Sequence, residues 1–272
     1  MSSANKRIGF IGAGNMATAL IKGTISSGLY TPGMIKASDT DPEKIKRMHE
    51  DYGIEGISSN KNLAELCDVI VLSVKPQVIN DVLDDIRDKI NKNHIVISIA
   101  AGIKISTIQS IIGDEVPVIR VMPNTPALIQ RGVSAVAAGK NVSNNQMDIA
   151  LDIFNAVGTA FSVEEEMMDA VTAISGSGPG FVFKIMECFV EAAESQGFDS
   201  ETALLMIKNT FLGSAMLAEN SKLSLSELRK MVTSPGGTTE AGLKYLDENK
   251  IEGIICGAIE TATARSVELG KK

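Results

Sequence analysis

The stretch GFIGAGNMA, residues 9–17, decides the fold, because an apolar run leads there through a glycine-rich turn into a helical sequence. Gly12, Gly14 and Ala17 have the spacing of a dinucleotide-binding fingerprint at the start of a βαβ unit. Gly12 permits a tight turn, Gly14 lets the backbone approach a pyrophosphate, and the small Ala17 allows close packing of helix on strand. The pyrophosphate would lie at the helix N-terminus, where free N–H groups and the helix dipole favour an anion.

From residue 7 to about residue 163, short apolar runs alternate with polar helical stretches, the pattern of parallel strands joined by crossover helices. Several apolar runs are continuous, which suits a parallel sheet covered on both faces. The chain is therefore predicted to be an α/β protein with an N-terminal Rossmann-type, mostly parallel sheet domain. The predicted strands are 8–11, 34–38, 69–74, 95–99, 118–122, 134–138 and 159–163, and the predicted helices are 15–27, 42–51, 76–88 and 144–157.

After residue 163 nearly all of the chain is predicted to be helical, including residues 181–195, 203–217 and 251–269. Ser224 and Glu227 have the spacing of a capping box that opens a further short helix. The apolar arcs of these helices are too broad for burial on one side only. We therefore expect a dinucleotide-binding domain at 1–164 and an all-α dimerisation and substrate-binding domain at 165–272, with helices of two chains interleaved in a homodimer.

The composition, with 44% apolar and 22% charged residues, is that of an ordinary globular protein. A net charge of −7 with scattered lysines and arginines argues against a nucleic acid partner. Cys67, Cys188 and Cys256 are widely spaced among apolar neighbours and are predicted to be buried thiols in a reducing compartment. The N-terminus lacks an apolar leader, and no stretch is long enough to cross a membrane, so a cytoplasmic, soluble protein without a membrane partner is expected.

The second predicted strand ends in residues 37–40, the stretch that meets the adenosine ribose in this type of fold. Asp39 there suits the ribose hydroxyls of NAD. Hydroxyls at Ser38 and Thr40 flank it, and the basic residues Lys44, Lys46 and Arg47 follow. These residues leave the choice between NAD and NADP open.

Histidine chemistry is not expected at the site, although oxidation of an alcohol usually employs a histidine base. The chain has only His49 and His94, both predicted to be solvated surface residues. A cyclic imine, by contrast, can bind already protonated, so its reductase needs mainly positioning and electrostatics. Residues 73–76, 99–102 and 122–126 would form a stiff rim for such a substrate. Lys75 is open to three interpretations: proton donor, phosphate partner or solvated side chain.

Two glycine-rich loops in the helical half, residues 175–180 and 233–239, each end where a helix is predicted to begin. Such a loop binds anions, and here the anion could be the carboxylate of a small amino-acid-like substrate. The alternative for each segment is an ordinary glycine-rich loop that binds no ligand. No His, Cys or carboxylate cluster has metal-ligand spacing, so no metal is expected.

The chain resembles the pyrroline-5-carboxylate reductase family through GFIGAGNM at 9–16, SVKPQ at 73–77, MPNTP at 122–126, SGSGP at 175–179 and SPGGTT at 234–239. These motifs occur in the family's order over essentially the whole chain. The resemblance implies reduction of 1-pyrroline-5-carboxylate, a cyclic imino acid, to L-proline, with NADP(H) as the main expectation for the cofactor and NAD(H) as the alternative. It also implies a Rossmann domain and a helical domain that dimerises, with dimers often gathered into larger assemblies.

By the same resemblance, the residues that match the family's cofactor site are Ile11, Gly12, Ala13, Gly14, Asn15, Met16, Ser38, Thr40, Asn60, Ser73, Val74, Lys75, Pro76, Ile99, Ala100 and Ala101. The residues that match its substrate site are Ser175, Gly176, Ser177, Gly178, Pro179, Thr238 and Thr239. Thr239 is implied to be the catalytic residue, with its hydroxyl close to the ring nitrogen as a proton donor. The resemblance further implies that the substrate loop completes the site of the partner chain.

Two departures and two rival interpretations remain. Gly180 stands where the family commonly has Ala, and Asp39 would suit a preference for NADH.

A β-hydroxyacid dehydrogenase would use Lys184 as its catalytic lysine, but Cys188 stands one turn later where that class has Asn. A non-catalytic NAD(P)-binding scaffold is the other rival, and it leaves the SPGGTT segment without a purpose.

Overall fold

The computed structural model describes residues 6–270, whose strands form one eight-stranded sheet. In chain order the strands are β1 (Ile8–Ile11), β2 (Ile35–Ser38), β3 (Glu55–Gly56), β4 (Val69–Leu72), β5 (Ile95–Ser98), β6 (Val118–Met122), β7 (Gly132–Ala138) and β8 (Gly158–Ser162). Across the sheet the order is β3-β2-β1-β4-β5-β6-β7-β8. All neighbours are parallel except β6 and β7, which are antiparallel. The prediction of a Rossmann-type, mostly parallel sheet is confirmed.

Helices cover both faces of this sheet. They are α1 (Asn15–Ser26), α2 (Pro42–Tyr52), α3 (Asn60–Leu66), α4 (Ile79–Ile86), α5 (Ile105–Ile112), α6 (Asn144–Asn155) and the short α7 (Met168–Val171). Successive residues of β1 point to opposite faces, so Phe10 lies in the core shared with α1 and α6, and Ile11 lies in the core shared with α4 and α5. Every residue of β1, β4 and β5 is therefore buried, as their continuous apolar sequences predict.

Three elements of the sheet region were not predicted: β3, α3 and α5. The predicted helix 76–88 is also wrong at its ends, because α4 covers only its middle. One turn of 3₁₀-helix precedes α4 at Pro76–Val78, and another follows it at Arg87–Lys89.

The chain after β8 is helical, as predicted. A π-helical turn, Thr172–Gly176, follows α7, and then come α8 (Gly178–Ser195), α9 (Ser200–Asn220), α10 (Leu225–Met231), α11 (Thr238–Glu248) and α12 (Ile251–Leu269). The capping box before α10 is confirmed, since Ser224 Oγ accepts the Glu227 N–H and Glu227 Oε2 accepts the Ser224 N–H. The predicted loop at 175–180 is instead helical for most of its length. Its glycines tolerate helical backbone, and Pro179 lies in the first turn of α8, where a missing N–H costs little.

The chain forms two compact units. Among the described residues, the first unit runs to Ser177 and takes in the end of α12 from Ala262 onward, and the second covers Gly178–Thr261. The domain boundary after residue 164 remains a prediction. Within residues 6–270, no helix combines the length and the hydrophobicity needed to span a bilayer.

The second unit exposes many large apolar side chains, among them Phe183, Leu205, Leu212 and Ile254, each about 60% exposed in the single chain. Cys188 and Cys256 are exposed with them, whereas Cys67 is buried under the sheet. The prediction of buried thiols is therefore right for Cys67 and wrong for the other two in a single chain, because no residue between 6 and 270 covers Cys188 on α8 or Cys256 on α12.

Candidate cofactor and substrate site

The glycine turn between β1 and α1 has the geometry that its sequence predicts. Gly12 has φ +98°, and a Cβ there would lie 2.6 Å from the Ser73 carbonyl oxygen, so no other residue fits. A Cβ on Gly14 would meet nothing within 4 Å, so the space in front of it is open. Gly14 also provides no side-chain cap for α1. The first N–H groups of α1, at Asn15 and Met16, are thus placed for an anion.

Two neighbouring segments hold this turn in place. The Gly12 N–H donates to the Ser38 carbonyl oxygen (2.8 Å), and the Ala13 N–H donates to Asp39 Oδ2 (2.7 Å). The Ser73 hydroxyl lies 2.6 Å from the Gly12 carbonyl oxygen and 3.0 Å from that of Ile11. The carboxyl ends of β2 and β4 therefore fix the backbone on which a pyrophosphate would rest.

A cleft of about 460 Å³ opens beside the turn at the carboxyl ends of β1 and β2. Ser38 Oγ donates to Asn60 Oδ1 there (2.8 Å), which links the end of β2 to the start of α3. The cleft thus brings together predicted cofactor residues from four separate segments: Ile11, Gly12, Ser38, Thr40, Asn60 and Val74.

The opposite wall of this cleft was missed by sequence reasoning. Val78, Asp81, Val82 and Asp85 line it, all from the 3₁₀ turn before α4 and from α4 itself. Their spacing of three and four residues is that of one helix face, but the same spacing is typical of any surface helix, so it carried no specific signal.

A second cleft, of about 540 Å³, lies at the carboxyl ends of β4 and β5. Four residues of the predicted site and its rim line it: Pro76, Ala101, Gly102 and Ser177. Lys75, Ile99 and Ala100 line neither cleft, and Lys75 is exposed. Sequence reasoning missed the polar part of the lining, which includes Gln77, Asn80, Thr172, Arg265 and Ser266.

The π-helical turn that carries Ser175 and Gly176 is tied to the loop after β6. Asn124, which is nine-tenths buried, donates from Nδ2 to the Ser175 carbonyl oxygen (3.1 Å) and accepts the Val133 N–H at Oδ1 (2.8 Å). A Cβ on Gly176 would lie 2.5 Å from Met122 Cε, so the end of the Met122 side chain packs directly against this glycine. The MPNTP segment therefore supports the SGSGP segment rather than merely forming a rim, a role that sequence reasoning missed.

In the second unit, Thr238 and Thr239 are the first two residues of α11 and are exposed in the single chain. The turn before them contains Gly236 at φ +70°, whose N–H donates to Glu240 Oε2 (2.7 Å). Gly237 is the N-cap and provides no side chain to the first N–H groups of the helix. The segment thus presents two hydroxyls beside free helix N–H groups, and the roles of both threonines stay predictions.

Three other side chains could carry acid–base chemistry, those of His49, His94 and Lys184, but they lie outside both clefts and contact other groups. His94 contacts the Ala64 carbonyl oxygen (3.2 Å) and accepts the Asn91 N–H (3.1 Å), and exposed His49 contacts the Ile54 carbonyl oxygen (3.0 Å). Lys184 is exposed and pairs with Glu187 (3.4 Å), which raises the pKa of its ammonium group and keeps it protonated. Residues 6–270 contain no group of three or more His, Cys, Asp or Glu side chains able to hold a metal ion.

Two family models match separate parts of the chain, and individual known proteins match nearly all of it. The family described as pyrroline-5-carboxylate reductase dimerisation matches residues 165–269. The family described as NADP oxidoreductase, coenzyme F420-dependent, matches residues 7–102.

Among individual proteins, the pyrroline-5-carboxylate reductase of Methanosarcina acetivorans is 42% identical over 98% of this chain and 99% of its own length. The structure of a pyrroline-5-carboxylate reductase from Coxiella burnetii superposes with a TM-score of 0.93 at 36% identity, covering 97% of this chain and 98% of the other. The Plasmodium falciparum pyrroline carboxylate reductase with NADP bound gives a TM-score of 0.86 at 30% identity, with 98% of each chain covered.

Proposed function

The chain belongs to the pyrroline-5-carboxylate reductase family, and we infer that it reduces 1-pyrroline-5-carboxylate to L-proline with hydride from NAD(P)H, the last step of proline biosynthesis. The observation that carries this conclusion is the full-length match to reductases of that name. The β-hydroxyacid dehydrogenase rival is disfavoured, because the full-length relatives described above are pyrroline-5-carboxylate reductases and Lys184 is a solvated, ion-paired side chain.

We propose that the cleft beside the glycine turn holds the adenosine half of the cofactor. The open space in front of Gly14 and the uncapped start of α1 fit a pyrophosphate, and Ser38, Thr40 and Asn60 fit the ribose side. The segments after β4 and β5 would then flank the nicotinamide, which supplies the hydride when the cofactor is bound. These segments are Ser73 to Pro76 and Ile99 to Ala101.

We propose that the substrate carboxylate binds at the starts of α8 and α11, through residues 175–179 and through Thr238 and Thr239. An uncapped helix start offers N–H donors to a carboxylate, and α11 has such a start. In the reaction, hydride adds to the carbon of the C=N bond, the π-electron pair of that bond moves to the nitrogen, and the nitrogen stays in the ring as a secondary amine that takes up a proton. The Thr239 hydroxyl is proposed to donate toward that nitrogen, so that the developing amine keeps a hydrogen-bond partner.

We propose that two chains associate through their helical parts into a homodimer, the minimal active form. The apolar side chains exposed on α8, α9 and α12 far exceed what a monomer's surface normally carries, and residues 165–269 match a dimerisation family. Assembly into larger rings and a cytoplasmic location stay predictions. Sedimentation of the purified protein checks the dimer, and a monodisperse monomer with full activity would refute it.

The activity is tested by mixing the purified protein with 1-pyrroline-5-carboxylate and either NADPH or NADH and following the loss of reduced-cofactor absorbance. Proline should appear in a one-to-one ratio with cofactor oxidised. A 3-hydroxy acid substrate assayed with NAD(P)⁺ serves as the discriminating control, because turnover of that substrate alone would favour the β-hydroxyacid dehydrogenase rival.

A further inference from the structure

The turn that leads into α11 is built on two adjacent glycines, Gly236 and Gly237. Gly236 has φ +70°, and glycine populates this left-handed region about as readily as it populates negative φ, so the sequence alone does not fix the turn. A Cβ on Gly236 would meet nothing within 4 Å, so close packing does not hold this residue either. A backbone hydrogen bond closes the turn, from the Gly237 N–H to the Ser234 carbonyl oxygen (3.0 Å).

The Glu240 side chain supplies a second constraint on this turn. A Glu or Gln at the third position of a helix usually accepts the N–H of the N-cap residue, as Glu227 does in α10 and Gln146 does in α6. In α11 the N-cap residue is Gly237, whose N–H is already donated to the turn. Glu240 Oε2 therefore reaches one residue further back and accepts the Gly236 N–H (2.7 Å). The carboxylate thus holds the residue at positive φ directly.

We propose that Glu240 is a positioning residue for substrate binding, because its carboxylate holds residues 234–237 in the conformation that presents Thr238 and Thr239. This inference rests on the proposed function and deepens it, since it names a residue that acts on the substrate segment without touching the substrate. A turn that adopts its binding conformation only part of the time weakens the apparent affinity by that fraction. Loss of the Glu240 bond should therefore appear as weaker binding of the imine.

The Glu240 hydrogen bond competes with water, because this side chain is exposed in the single chain. Two effects favour it: hydrogen bonds to an ionised carboxylate are roughly twice as strong as neutral ones, and the helix dipole favours a negative charge in the first turn of α11. The same charge lies in the helix turn that is proposed to receive the substrate carboxylate, so it opposes substrate binding. The two contributions can be separated, because an amide oxygen accepts the same hydrogen bond without the charge.

The test measures the KM for 1-pyrroline-5-carboxylate and the KM for the reduced cofactor in the wild type and in three variants of α11. Glu240→Ala removes the acceptor, and Glu240→Gln keeps an acceptor oxygen but removes the charge. Glu248→Ala is the matched control, since Glu248 is exposed at the other end of the same helix and pairs with Lys244 (3.9 Å).

Glu240→Ala should raise the KM for the imine about fivefold, the factor that one net hydrogen bond represents, and should change the KM for the cofactor by less than about twofold. Glu240→Gln should keep the imine KM at its wild-type value or lower it, and Glu248→Ala should change neither KM. An unchanged imine KM in Glu240→Ala would overturn the inference, as would an equal rise of both KM values or a rise in Glu240→Gln as large as that in Glu240→Ala.

Hydrogen exchange of the segment 234–240, followed by mass spectrometry, reports on the turn without any turnover. Exchange should be faster in Glu240→Ala than in the wild type and should keep its wild-type rate in Glu240→Gln. Equal exchange in the wild type and in Glu240→Ala would overturn the inference. If the wild type turns over with neither cofactor, the proposed function fails instead, and the exchange rates then decide whether Glu240 holds the turn.

Discussion

Asn124→Ala removes the side chain that joins the loop after β6 to the π-helical turn. Two groups lose their partner, the Val133 N–H (2.8 Å) and the Ser175 carbonyl oxygen (3.1 Å). Each lost bond should cost about 1 kcal/mol, the low end of the usual range because both groups are only half-buried. The free energy of unfolding should therefore fall by about 2 kcal/mol, which corresponds to a melting temperature lower by about 4–8 °C for a chain of this size.

The functional consequence should be confined to substrate binding. The released turn leads into Ser177 and the start of α8, so KM for 1-pyrroline-5-carboxylate should rise roughly tenfold while KM for the cofactor changes by less than about twofold. Calorimetry and steady-state kinetics measure both effects, with Asn62→Ala as control because Asn62 is exposed on α3. A loss of stability below about 0.5 kcal/mol, or an equal rise of both KM values, would refute the reasoning.

Three further changes test other parts of the account. Gly12→Ala places a methyl group against a backbone carbonyl oxygen at positive φ, so KM for the cofactor should rise at least ~tenfold, whereas Gly28→Ala, strained in open space at φ +73°, should leave it unchanged. Glu165→Gln leaves the buried Arg120 without its carboxylate partner (3.4 Å). The free energy of unfolding, measured by chemical denaturation, should fall by about 1–2 kcal/mol, less than for a fully buried pair because Glu165 is partly exposed. An unchanged free energy of unfolding would contradict this. Thr239→Val keeps the side-chain shape and should lower kcat more than it weakens cofactor binding, and unchanged turnover would remove Thr239 from the proton-transfer role.

The strands and the glycine turn could be predicted because their signals are local. β1, β4 and β5 are short continuous apolar runs, and the glycines at 12 and 14 have the fingerprint spacing directly between a strand and a helix. The helix α5 could not be predicted, because its sequence ISTIQSII is rich in β-branched residues that disfavour helix. It is stabilised by burial of Ile105, Ile108 and Ile112, and its first N–H is capped by Glu165 from 60 positions away (2.8 Å).

The candidate site likewise contains some residues that the sequence could predict and others that it could not. Residues adjacent to the fingerprint or to a strand end could be assigned from the sequence, as Ser38 and Val74 were. Two features depend on how crossover helices and distant loops fold back onto the sheet: the cleft wall that includes Asp81 and Asp85 of α4, and the support of Ser175 by Asn124. No local pattern reports those long-range contacts, so they became visible only in the folded chain.

Reductase activity is measured by mixing the protein with 1-pyrroline-5-carboxylate and NADH or NADPH and quantifying proline. We expect cofactor oxidation that depends on the imine and yields one proline per cofactor oxidised. Tight cofactor binding without any oxidation in the presence of the imine would contradict this expectation and leave the chain as a dinucleotide-binding scaffold.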